Sequence, residues 1–125
     1  MPRVSRYRVT VRSGPRVERL TAPTLGEALD LLEGRARTAA AAAGLAPIDL
    51  RVRRFEPGDQ VAARIEIRGP ERWRPSVRAG VDVRGDRSIE AWAGAPRREA
   101  VEARDGEDFA AALRRELAQS TSVEP

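Results

Sequence analysis

The chain has 125 residues, 41% of them hydrophobic before its 10 glycines are counted, and a formal charge of +4. That length suits one domain burying roughly two thirds of the surface its unfolded form exposes, and that apolar content excludes disorder throughout. Cysteine and histidine are absent and all 23 basic residues are arginine, which removes disulfides, thiolate and imidazole metal sites, Schiff bases, thiol nucleophiles and histidine-based triads.

Catalysis would have to rest on carboxylates alone, and no GxGxxG or Walker sequence cradles a phosphate. The expectation is a protein that is not an enzyme and needs no cofactor and no metal. The start, MPRVSRYRVTVRSG, lacks an apolar export segment, and nowhere do about 18 apolar residues run together. A cytoplasmic protein without a membrane partner is expected. Residues 1–23 carry +5, and the remainder is close to balanced.

In chain order, Val4 to Arg12 alternates, with Tyr7, Val9 and Val11 on one face and Arg6, Arg8, Thr10 and Arg12 on the other. That period predicts a half-buried strand. Ser13-Gly14-Pro15-Arg16 supplies a turn, and Val17 to Ala22 a returning partner whose phase the sequence leaves open. Thr24 and Glu27 form a capping box. Behind it Leu25, Ala28, Leu29, Leu32, Ala36, Ala39, Ala40 and Ala43 keep helical spacing until Gly44 and Pro47 end the run. The small AAAAAG stretch lets this helix lie close to a sheet or to another subunit.

Four strands are predicted next, at 48–55, 60–68, 76–84 and 87–93, joined into antiparallel hairpins by turns such as Glu56-Pro57-Gly58-Asp59 and Gly85-Asp86-Arg87. A last helix is predicted over Gly106 to Ala118, with Asp105 as N-cap, acidic residues in its first turn and Phe109, Ala112, Leu113 and Leu117 facing inward. Gln119 to Pro125 is expected to fray. The fold class is α+β, a curved, mostly antiparallel sheet in the order ββαββββα with the helices packed on one face. Residues 1–118 form one domain and 119–125 a tail.

Apolar residues that share a face fix strand pairing only up to parity. In the last hairpin, Val83 opposite Ile89 puts Val81 opposite Ala91, Asp82 opposite Glu90 and Gly80 opposite Trp92. In the hairpin before it, Ile67 opposite Val77 puts Glu66 opposite Arg78 and Arg64 opposite Gly80. An outer-face cluster follows. Trp92 lies over Gly80 and meets the Arg64 guanidinium, or serves as a stacking platform for a base. Asp82 and Glu90 repel each other unless arginines compensate or a cation sits between them.

The stretch ERWRPS, Glu71 to Ser76, lies between Pro70 and Pro75. Its Trp73 either folds onto the end of the sheet as a stiff corner, the reading preferred here, or protrudes between Arg72 and Arg74 to stack on nucleic acid or anchor a partner. The first strand adds Arg6, Arg8 and Arg12. From these features the leading expectation is a non-enzymatic protein-binding or assembly module, homo-oligomeric through a sheet edge, Trp73 or the alanine-rich helix. The alternative is an arginine-rich RNA- or DNA-binding protein contacting phosphates through the N-terminal strand and the 71–76 loop. A small-ligand carrier with a pocket between sheet and first helix is a third class.

Overall fold

The computed structural model describes residues 6–45, 61–94 and 97–122. β1 (Tyr7–Ser13) and β2 (Arg16–Ala22) form the first hairpin, with Ser13 paired to Arg16. Gly14 takes φ 58° in the two-residue turn, where the hairpin twist demands a positive value. The backbone N–H of Glu27 donates to Thr24 Oγ1 at 3.1 Å, so the predicted cap opens α1 (Leu25–Leu45). Then come β3 (Val61–Gly69), β4 (Val77–Arg84), β5 (Ile89–Ala93), β6 (Glu99–Val101) and α2 (Phe109–Ser122).

The strands make one open antiparallel sheet in the order β2-β1-β3-β4-β5-β6. Alternation decides its faces. Val9, Ile65, Ile67, Ala79, Val81 and Val83 are fully buried on one side, where α1 crosses β1 to β4 and α2 covers β5 and β6. Ala28, Leu32 and Ala36 meet them from α1 and Leu113 and Leu117 from α2. Ala39 and Ala40 also pack against this core, so the alanine run brings the helix down onto the sheet. Ions clasp the helices together: Arg114 bonds Glu33 at 2.8 Å and Asp30 at 2.7 Å, and Arg37 bonds Asp108 at 2.7 Å.

The order ββαββββα is the predicted one, but its membership differs. The predicted strand 48–55 lies outside the described residues, and β6, which periodicity did not reveal, is the fourth strand after α1. β3 bonds to β1 on one edge and to β4 on the other, so along Arg64 to Arg68 one neighbour is the next strand in the chain and the other the first.

The second helix also begins later than expected. Gly106 takes φ 82°, a left-handed value that a helix interior excludes, so Asp105 cannot be the N-cap. Asp108 caps instead, its Oδ1 accepting from the N–H of Ala111 at 2.8 Å, and no acidic residue falls in the first turn. At the far end the helix continues to Ser122, through residues expected to fray.

Candidate functional site

The sheet face opposite the helices carries three rows of side chains. The β4–β5 register is the predicted one: Gly80 opposite Trp92, Val81 opposite Ala91, Asp82 opposite Glu90, Val83 opposite Ile89. The β3–β4 register lies two residues from the predicted one, with Gly69 opposite Val77, Arg68 opposite Arg78, Glu66 opposite Gly80 and Arg64 opposite Asp82. A slip of two preserves parity, so Ala63, Ile65, Ile67, Val77, Ala79, Val81 and Val83 stay inside and only the outer neighbours change.

In the middle row Trp92 does lie over Gly80. A Cβ there would meet the ring at 2.6 Å and collide with the Ile65 carbonyl oxygen. The cation on the ring is not Arg64, which the register moves away, but Arg98, 4.2 Å from the centroid. Glu66 holds Arg98 in place, accepting from its Nη2 at 3.1 Å. With the indole only 4% exposed, Trp92 is not an open stacking platform.

The third row answers the repulsion between Asp82 and Glu90. Arg64 grips Asp82 with both ends, at 2.7 and 3.3 Å, and Arg84 lies 3.5 Å from Glu90. An alternating charge lattice thus occupies both carboxylates. Among the described residues no group of His, Cys, Asp or Glu could hold a metal ion.

The remaining row stands at the end of the sheet beside the 70–76 loop: Arg8 opposite Arg68, and Arg68 opposite Arg78. Like charges in directly opposed positions destabilise a sheet, and here the compensation is incomplete. Arg68 bonds Glu66 at 2.7 Å, a carboxylate already shared with Arg98. Among the described residues Arg8 donates only to the neutral carbonyl of Glu71, at 3.1 Å. Arg78 is half-buried, and its Nε is buried with no hydrogen-bond partner.

The loop itself is closed by its own polar groups. Glu71 Oε1 accepts from the backbone N–H of Ser76 at 2.8 Å and from its hydroxyl at 2.9 Å. The Ser76 backbone N–H leads the interactions that hold the Glu71 carboxyl below its usual range. Gly69–Pro70 is cis and Arg74 takes φ 50°. Because Glu71, Ser76 and Arg8 tie down the base of the loop, its apex is carried off the sheet. Trp73 is 84% exposed and Arg72 and Arg74 are exposed with it. The preferred stiff corner, with Trp73 folded onto the sheet, is therefore overturned.

Of the residues singled out from sequence, Arg6, Arg8, Arg72, Trp73 and Arg74 belong to the strand start and loop at one end of the sheet. Arg12 lies two rows away, opposite Arg64. Arg68 and Arg78 were missed; their shared parity with Arg8 was legible, but their alignment depended on the register. For the small-ligand reading, the space between α1 and the sheet is filled by core side chains. Clefts of 310 and 380 Å³ lie beside β6, bordered by Arg115 in one case and Phe109 in the other, and a third of 380 Å³ lies between the end of β2 and α1, lined by Thr21, Ala22, Glu27, Asp30 and Leu31. No helix is long and apolar enough to cross a membrane among the described residues. No family model, no curated protein and no solved structure matches the chain, so geometry alone supports the functional reading.

Proposed function

We propose that the protein is a non-enzymatic nucleic-acid-binding module that engages phosphates with the arginines at the end of its sheet and a base with Trp73. One observation carries this: an 84% exposed tryptophan stands on a tied loop beside a row of three arginines, of which only Arg68 has an ion-pair partner among the described residues. Arginine guanidinium and indole are the groups that pair with phosphate oxygens and base faces.

Two of the three supports of the assembly alternative are weakened, although Ala41 and Ala42 of the alanine run are exposed. The β2 edge carries Arg16, Glu18 and Arg19, charges that oppose edge-to-edge pairing, and the alanines Ala39 and Ala40 are used in the core. Trp73 remains, and an acidic protein surface is the second partner it suits.

Titration of a random oligonucleotide against salt tests the proposal. Contact with about four phosphates predicts that affinity falls about 50- to 150-fold between 50 and 200 mM salt. An affinity that stays flat over that range, or no binding at the lower salt, refutes it.

A further inference from the structure

Resting on that reading, we infer that the ligand is a single strand that runs across β1, β3 and β4 rather than along β1, with one base stacked on Trp73 and its phosphates on Arg8, Arg68 and Arg78. A track along β1 is broken. Arg8 and Arg12 are separated by Thr10, and Arg12 stands opposite Arg64, whose guanidinium is committed to Asp82. Across the strands the three arginines follow one another at the inter-strand spacing, covering about 10 Å; Arg68 shares Glu66 with Arg98, while Arg8 and Arg78 have no ion-pair partner among the described residues.

Arg78 is the anchor of this row. A half-buried guanidinium whose Nε makes no hydrogen bond and which has no ion-pair partner among the described residues gains more from a phosphate at its terminal nitrogens than one already paired, because charge-assisted bonds strengthen out of bulk water. The loop that bears Trp73 joins the ends of β3 and β4 next to this row and is bonded to Arg8. An indole stacks only on an unpaired base face, and in a duplex both faces of each internal base are already covered. Trp92, sealed under Arg98, offers no second platform, so the footprint is short and holds a single stacked base.

The two tryptophans make the test direct, since Trp73 is 84% and Trp92 4% exposed and quenching by a ligand reports Trp73. The probes are a short random oligonucleotide in deoxy and ribo form, the same sequence as a blunt duplex, and heparin, an anion without bases. Either single strand is expected to quench fluorescence and to bind at least about 5-fold tighter than duplex or heparin. Trp73→Ala should lower single-strand affinity about 5- to 150-fold, and Arg78→Gln should make the salt dependence shallower by about 0.7 in log–log slope. Equal affinity for single strand and duplex, with Trp73→Ala without effect, overturns the single-strand inference while leaving salt-dependent nucleic-acid binding intact. Binding of heparin alone, or of no nucleic acid at low salt, overturns both.

Discussion

Replacing Gly80 with alanine drives a methyl group between β3 and the Trp92 ring. The new Cβ would sit 2.6 Å from Trp92 Cζ2 and 3.0 Å from Cε2, with the Ile65 carbonyl oxygen on its other side. The ring can lift, which sacrifices the Arg98 contact at 4.2 Å, a loss of about 0.5 to 1 kcal/mol. The carbonyl belongs to a hydrogen-bonded strand in the middle of the sheet and can move only by distorting the ladder. Overpacking of this kind costs about 1 to 3 kcal/mol, and the entropy gained by removing a strand glycine returns at most about 1 kcal/mol. The net expectation is a destabilisation of about 2 kcal/mol, or a melting temperature lower by about 6 to 10 °C for a chain of this size. Urea denaturation at constant m-value measures it, with Gly34→Ala as the control. Gly34 lies in α1 with nothing within 4 Å of a built Cβ, so there alanine should stabilise by about 0.5 to 1 kcal/mol through helix propensity. If Gly80→Ala unfolds within about 0.5 kcal/mol of the parent, the Trp92 packing described here is wrong, and Trp92 regains its standing as a ligand platform.

Other substitutions separate buried from exposed charge. Arg64→Met leaves Asp82, 9% exposed, without its bidentate partner and should cost about 2 kcal/mol, whereas Arg35→Met breaks a pair whose side chains are 41% and 47% exposed and should cost under about 1 kcal/mol; equal losses by urea denaturation would contradict the burial assigned to Asp82. Glu33 is held below the usual carboxylate range by Arg114 and Arg37, and Asp108 by the Ala111 N–H and Arg37. Their contribution is therefore present above about pH 4.5 and is lost as pH falls through the depressed folded values; the urea midpoint should drop on acidification from pH 5 to 3, less steeply in Glu33→Gln, and an unchanged profile in that variant would count against the clasp. Glu71→Ala removes the acceptor of both Ser76 bonds and should raise hydrogen exchange in the 70–76 loop and weaken oligonucleotide binding while the global melting temperature stays within about 2 °C. Trp73→Ala, at an 84% exposed position, should leave stability within about 0.5 kcal/mol, and a larger loss would mean that the indole packs in solution.

Local periodicity made much of this molecule legible. The two-residue pleat assigned Val9, Ile65, Val81 and Ala91 to the core and Arg64, Asp82 and Glu90 to the opposite face, because a side chain's face follows from its own position along the strand. Thr24 marked the start of α1 because a cap acts within one turn. The β4–β5 register was also readable, since a short turn joins two apolar sets that must meet. The start of α2 was not, because Asp105 and Asp108 offer the same capping chemistry and only the left-handed Gly106 excludes the first. β6 was invisible because three residues are too few to show a period.

Tertiary structure alone decided what gathers at the end of the sheet. Pairing slips of two residues conserve every buried face, and backbone hydrogen bonds are indifferent to which side chains they align. The sequence therefore could not say that Arg78 stands opposite Arg68 instead of Glu66, or that β1 inserts between β2 and β3 to bring Arg8 alongside. Nor could it say that a glutamate and a serine would close the loop on itself and leave Trp73 in solvent. Chain-local patterning determined which residues face water; long-range strand pairing determined which of them face each other, and the proposed binding surface arises from the second.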